Sequence, residues 1–143
     1  MNSSERPQPL VLVVEQEQEL LDEVTALLTA SGYACRCCVT AESAIASAET
    51  SVPDLILSNV NLHGVNGVDM CRQMQRNPVL ADVPVMFLSG GQLPDIIRRS
   101  GGGIHGAYYI RLPFDREVLV ELIDTALGEG RLQGVGVGRP GAD

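Results

Sequence analysis

Leu10-Val11-Leu12-Val13-Val14-Glu15-Gln16-Glu17 is an aliphatic run that ends abruptly on three polar residues. Five apolar residues without alternation suit a strand buried on both faces, as in a parallel sheet. The period then changes. Leu20, Leu21, Val24, Leu27 and Leu28 form one helical stripe between Glu17 and Ser31, and Gly32 is placed to stop it. Tyr33–Val39 reads as a second strand. Thr40 caps a short Ala-rich helix to about Glu49, with Ala44, Ile45 and Ala48 inward. Pro53 leads into a third strand, Asp54–Ser58. A loop follows, Asn59–Gly67, in which Gly64 and Asn66-Gly67 supply turn chemistry.

Val68–Arg76 fits a helix with Val68, Cys71 and Met70 or Met74 inward. Val83–Leu88 and Tyr108–Leu112 are the fourth and fifth strands. Asp115 caps a last helix, Arg116–Leu127, with Phe114 and Leu119 at the positions of a hydrophobic staple and Gly128 as its stop. Strands alternating with helices make βαβ units, so the fold class is α/β: a flavodoxin-like, doubly wound, five-stranded parallel sheet of order 2-1-3-4-5 with five helices. Such sheets place ligands at the carboxyl ends of the strands. That rule selects Glu15, Gln16, Asn59, Ser89 and Leu112.

Two regions depart from the pattern. Gly90–Gly106 should hold the fourth helix, yet it contains Pro94 and six glycines. Each interior glycine costs about 1 kcal/mol against Ala. A short or irregular helix over Pro94–Ser100, followed by loop, is the expectation. The tail after Gly128 carries five more glycines and Pro140, and reads as a linker or flexible end. The organisation is therefore residues 1–8 as tail, 9–128 as one domain and 129–143 as a Gly-rich tail or linker.

Composition narrows the function. The chain has 143 residues, 45% hydrophobic and only 3% aromatic, so one domain with an aliphatic core is expected. The net charge of −8 disfavours phosphate backbones, so no nucleic-acid contact is expected of this chain. No apolar run is long enough to span a membrane, and the polar start lacks a secretory core, which points to the cytoplasm. All ten basic residues are Arg. Without Lys there is no lysine nucleophile or phosphate-binding ammonium. Cys35, Cys37, Cys38 and Cys71 read as small buried hydrophobes, with metal or redox chemistry as the alternative, because no second ligand cluster accompanies the three neighbours. If Cys35–Cys38 is a strand, Cys35 and Cys37 share one face and Cys38 takes the other. His63 and His105 have no motif around them.

Taken together, the first strand with Glu15-Gln16-Glu17, Gly32-Tyr33, Pro53–Asn59, Asn66-Gly67, Pro84–Gly90 and Tyr109–Phe114 resemble the receiver domain of bacterial two-component response regulators. The resemblance runs from about Pro9 to Leu127. It implies a phosphorylation switch: an Asp at the end of the third strand accepts a phosphoryl group from a histidine kinase. An acidic pair after the first strand and a backbone carbonyl two residues past the acceptor hold Mg²⁺. A Ser or Thr and a Lys contact the phosphoryl group, and an aromatic residue reports it.

In this chain the acceptor position is Asn59, the lysine position Leu112, and the acidic pair Glu15-Gln16. Ser89, Tyr109 and the carbonyl position Asn61 remain. Asp54 matches a lead-in residue. A carboxamide is not the nucleophile that phosphoryl transfer needs, and Mg²⁺ prefers sites with more carboxylates. The resemblance is thus to a degenerate, pseudo-receiver form: no catalytic residue, no enzyme, no cofactor, and weak or absent Mg²⁺ binding. Its expected role is a phosphorylation-independent module for a protein partner in signalling, a histidine kinase or an output protein, through a surface remodelled around Arg98, Arg99 and Tyr108. The alternatives are a small-molecule or nucleotide sensor in the strand-end pocket, and a receiver phosphorylated at a non-standard residue. Leu112-Pro113 aligns with a bond that is cis in the family, so a cis Pro113 is expected, with Leu112 filling the space of the lysine.

Overall fold

The structure, a computed structural model, describes residues 8–62, 64–90 and 107–134, with side chains through Gly128. Its elements are β1 (Leu10–Val14), α1 (Gln18–Ala30), β2 (Ala34–Cys38), α2 (Ala41–Thr50), β3 (Leu55–Asn59), β4 (Asn61–Leu62), β5 (Val65–Asn66), α3 (Gly67–Gln75), β6 (Val85–Ser89), β7 (Tyr108–Arg111) and α4 (Arg116–Gly134). Five strands make one sheet of order β2-β1-β3-β6-β7, and every neighbouring pair is parallel. This is the flavodoxin-like order expected. Four helices lie among the described residues. The expected short helix over Pro94–Ser100, with Arg98 and Arg99, falls outside them, as do His63, His105 and the tail from residue 135.

Alternation along the strands divides the core in two. Val11, Val13, Leu55, Leu57, Met86 and Leu88 face α1 and α4, packing on Val24, Leu28, Leu119 and Ile123. Leu12, Val14, Ile56 and Phe87 face α2 and α3, packing on Ala44, Ala48, Val68 and Met74. Each central strand is therefore buried on both sides, which is why its sequence is continuously aliphatic.

The helix ends follow their local chemistry. Tyr33 N–H donates to the Leu28 carbonyl and Gly32 N–H to that of Thr29, with Gly32 at φ +98°, a Schellman ending that only glycine adopts freely. Thr40 Oγ1 accepts from Ser43 N–H at 3.1 Å and starts α2. Asp115 Oδ1 accepts from the amides of Glu117 and Val118 and starts α4, while Phe114 and Leu119 join the same core cluster. Arg36, on edge strand β2, reaches across to the end of α2, where Nη1 donates to the Ser47 carbonyl and hydroxyl and the Ser51 carbonyl.

Several expectations need correction. Gly128 does not stop the last helix: α4 continues to Gly134. Glu129, Arg131, Leu132 and Gln133 are good helix formers, and propagation from an established helix tolerates a glycine costing about 1 kcal/mol. The expected loop Asn59–Gly67 contains a small antiparallel ladder, Asn61 opposite Asn66 and Leu62 opposite Val65, turned at Gly64 with φ +77°. Asn66-Gly67 is not a turn: Asn66 is the N-cap of α3, its Oδ1 accepting from Val68 N–H at 2.7 Å. β3 and β6 each begin and end one or two residues later than expected, and β7 ends at Arg111. Among the cysteines, Cys38 and Cys71 are buried, Cys35 is half-buried and Cys37 is exposed. Cys37 lies on an edge strand, where one neighbour is missing, so the reading of all four as buried hydrophobes fails there.

Candidate functional site

The carboxyl ends of β1, β3 and β6 converge, and the segment after β7 closes the group. Glu15 follows β1 and is 2% exposed. Its Oε1 accepts from Asn59 Nδ2 at 2.9 Å, and its Oε2 accepts from Glu17 N–H at 2.9 Å. Asn59, the last residue of β3, turns its Oδ1 to Asn61 N–H, also at 2.9 Å. A chain of hydrogen bonds thus runs from the start of α1 through the carboxylate and the carboxamide to β4. The buried carboxylate thus has two donors, as burial of a charge demands.

The orientation of Asn59 is chemically decisive. An aspartate there would set a second carboxylate against Glu15 across a hydrogen-bond distance, which is tolerable only with a cation or proton between them. The carboxamide supplies an N–H instead. Both Glu15 oxygens already have donors, and Asn61 contributes its N–H to Asn59. The residues therefore do not fit a Mg²⁺ ion of the family's kind: one carboxylate remains, and it is engaged. Among the described residues no group of three or more His, Cys, Asp or Glu side chains is placed to hold a metal.

Two contacts were not anticipated. Ser58 is buried, and its Oγ donates to the Asn59 carbonyl at 2.9 Å. Gly67 packs so closely on that carbonyl that a Cβ at position 67 would collide with it, and would crowd Ser58 Oγ and the Val60 carbonyl at 3.1 and 3.2 Å. Its N–H also donates to Val60 O at 2.6 Å. The glycine is visible in the sequence, but its pairing with Asn59 requires the folded hairpin between them.

The other end of the group is built differently. Ser89 is buried at the end of β6, and its carbonyl accepts from Leu112 N–H at 2.7 Å. Arg111 is exposed. Leu112 is half-buried and packs on the α1/α4 cluster, and the Leu112-Pro113 bond is cis, as expected. Gln16 is half-buried beside Glu15. Tyr109 lies half-buried with its ring stacked on Phe87, centroids 5.5 Å apart and planes 17° apart. Burial raises its phenol pKa, partly offset by the Arg72 charge. Tyr108 faces the opposite side and packs on the α1/α4 cluster. Asp54 works at the far end of the sheet, buckling β1 to β3 through Leu10 N–H at 2.7 Å.

The thiols are not poised for chemistry. Burial pushes Cys71 up to about 12, and burial also raises Cys35 and Cys37, the latter with help from Cys38 and Asp22. Such groups stay protonated at neutral pH.

A family model for the response regulator receiver domain matches residues 11–124, and the chain belongs to that family. Among curated relatives, the DNA-binding dual master transcriptional regulator RpaA of Synechocystis is 29% identical over 120 residues, covering 83% of this chain and 49% of that protein. The phosphate regulon transcriptional regulatory protein PhoB of Pseudomonas aeruginosa is 27% identical over 118 residues, covering 82% and 51%. This chain spans about half the length of these relatives. Among solved structures, the signal receiver domain of an HD domain-containing protein from Pseudomonas fluorescens superposes with TM-score 0.79 at 19% identity, covering 90% of this chain and 93% of that one. The chemotaxis protein CheY4 of Vibrio cholerae superposes with TM-score 0.77 at 20% identity, covering 83% and 98%. The chain is a receiver domain of two-component signalling. No helix among the described residues is long and apolar enough to cross a membrane.

Proposed function

We propose that this receiver domain has lost phosphoacceptor activity and works as a phosphorylation-independent protein interaction module. The observation that carries the reading is the hydrogen bond from Asn59 Nδ2 to Glu15 Oε1. It occupies the site with an internal polar bond at the point where the family's chemistry needs two carboxylates and a metal. Leu112 adds to it, because an aliphatic side chain cannot pair with a phosphoryl group. On this reading the domain is not an enzyme, needs no cofactor, and contacts a protein in the cytoplasm rather than nucleic acid. That partner is a histidine kinase or an output protein.

The test is direct. The chain is incubated with Mg²⁺ and acetyl phosphate, or with Mg²⁺ and beryllofluoride, and followed by intact-mass analysis and amide chemical shifts. Unchanged mass and unchanged shifts at Glu15, Asn59 and Ser89 are expected. A mass gain of one phosphoryl group, or beryllofluoride-dependent shifts there, overturns the reading.

A further inference from the structure

The run Cys35-Arg36-Cys37-Cys38 of β2 takes no part in the strand-end site. Three of its four residues fix which way the strand faces. Arg36 reaches the end of α2, Cys38 is buried in the α2/α3 cluster, and Cys35 packs on the α1/α4 cluster. Alternation therefore puts Cys37 on the α1 face beside Cys35. β2 is an edge strand, so the pair lies at the border of the sheet. Cys35 is half-buried, Cys37 is exposed, and neither is in a disulfide. α1 passes alongside. The Thr29 side chain hydrogen-bonds Cys35, the Asp22 carboxylate acts on Cys37, and the Cys37 thiol acts electrostatically on Cys35.

From this geometry we infer that Cys35 and Cys37 form a two-coordinate site for a soft monovalent cation, Cu⁺, held in line between the two sulfurs on the α1 face of β2. Residues two apart on a strand are about 6.5 Å apart. Two metal–thiolate bonds of about 2.3 Å each span about 4.6 Å, which the side chains reach by leaning toward each other. Soft thiolates favour Cu⁺, an ion content with two ligands, and the site offers two. Zn²⁺ wants four ligands, and among the described residues no group of three or more His, Cys, Asp or Glu is placed to supply them. Cys38 follows Cys37 in sequence, but it is buried on the opposite face of the sheet and does not share the ion. Binding breaks two S–H bonds, forms two Cu–S bonds and sends two protons to solvent, while copper stays Cu⁺. Protonated thiols are poor nucleophiles, yet a cation with this affinity for sulfur displaces their protons. The Asp22 charge draws the cation in. The site uses none of Glu15, Asn59, Ser89 or Leu112, so it stands or falls separately from the interaction-module reading.

The experiment titrates the reduced full chain with Cu⁺, oxygen excluded, against a chromophoric Cu⁺ chelator. Ag⁺ serves as a redox-inert stand-in for mapping by amide shifts. Expected are one Cu⁺ per chain, release of close to two protons into a weakly buffered indicator solution, and Ag⁺-dependent shifts centred on Cys35, Cys37 and the facing turns of α1. Cys37→Ser, at an exposed position that accepts the change, should weaken Cu⁺ binding at least about a hundredfold, more than loss of an outer-shell partner costs. Cys35→Ser should do the same, its fold checked by amide shifts. Cys38→Ala and Cys71→Ala should leave the affinity within about threefold. Zn²⁺ should bind at least about a hundredfold more weakly than Cu⁺. No Cu⁺ taken from the chelator, release of a single proton, Cys38→Ala as damaging as Cys37→Ser, or Zn²⁺ bound as tightly as Cu⁺ each overturn the site. Phosphorylation by acetyl phosphate would end the module reading and leave this site standing, and failure to bind Cu⁺ would do the reverse.

Discussion

The two ends of the candidate site solve the same problem in opposite ways. At the β1–β3 end a buried carboxylate accepts hydrogen bonds from Asn59 Nδ2 and Glu17 N–H. At the β6–β7 end Leu112 brings no charge, packing on the α1/α4 core, while Ser89 keeps a backbone bond to it. One end is polar and saturated, the other apolar and packed. The difference teaches that the strand ends of one sheet can be closed in two ways. A polar group that is buried must be paired, whereas an aliphatic one needs only neighbours to pack on.

The sharpest way to break the polar end is Gly67→Ala. The added methyl meets the Asn59 carbonyl, so β3 or α3 must move, and a loss of about 3 kcal/mol in denaturant unfolding is expected. The Asn59 and Asn61 amides should shift most. A loss under about 1 kcal/mol would show that the hairpin yields easily and that the polar end is not tightly held. Asn59→Ala should cost about 2 kcal/mol, because Glu15 loses one of its two donors while still buried. Asn59→Asp should be destabilised as well, with part of the loss recovered on adding Mg²⁺. Equal stability of Asn59→Asp with and without the ion would mean that a carboxylate at position 59 does not by itself make a metal site.

The α2/α3 side of the core is tested through pH and through ring stacking. Cys71 is held at about 12, above the 9.0 of a free thiol. Its folded pKa is the higher one, so its contribution is fully present below pH 9 and is lost as pH rises toward 12. The slope approaches about 1.4 kcal/mol per pH unit across that window. Cys71→Ala should be less stable at pH 8 yet flatter above pH 9. An unchanged slope in the variant would assign the alkaline loss to other groups. The smallest effect is expected from Tyr109→Leu, about 1 kcal/mol from the lost stack on Phe87, with Tyr109→Phe nearly neutral.

Much of the fold was legible because its signals are local. The aliphatic runs, the caps at Thr40 and Asp115 and the stop at Gly32 each need only a few neighbouring residues. The strand-end rule also selected Glu15, Gln16, Asn59, Ser89 and Leu112, and the structure joins Glu15 to Asn59 and Leu112 to Ser89 by hydrogen bonds. What escaped depends on distance or on context. Glu15 and Asn59 are 44 positions apart, and nothing in either residue type says that the amide turns its N–H toward the carboxylate. Asn66-Gly67 has the composition of a turn, and only the Asn59 carbonyl beside it reveals why glycine opens a helix there. Gly128 looked like a stop because propensity was weighed without the helix already running into it. Cys37 looked buried because the sequence does not show which strand lies at the edge.

Arg36 carries a consequence for how the protein behaves in a crowded solution. β2 is an edge strand, and open edges recruit strands from other molecules. The guanidinium is clamped at the last turn of α2, where Nη1 shares its two protons among three oxygens, so a fixed positive charge lies on the α2 side of that edge strand. An incoming strand would have to set a residue beside it and strip its remaining water. The exposed Cys37 next to it has a raised pKa and little thiolate for disulfide exchange. Charge and protonation together therefore oppose both non-covalent and covalent self-association along the one strand that lacks a second neighbour on this side of the sheet.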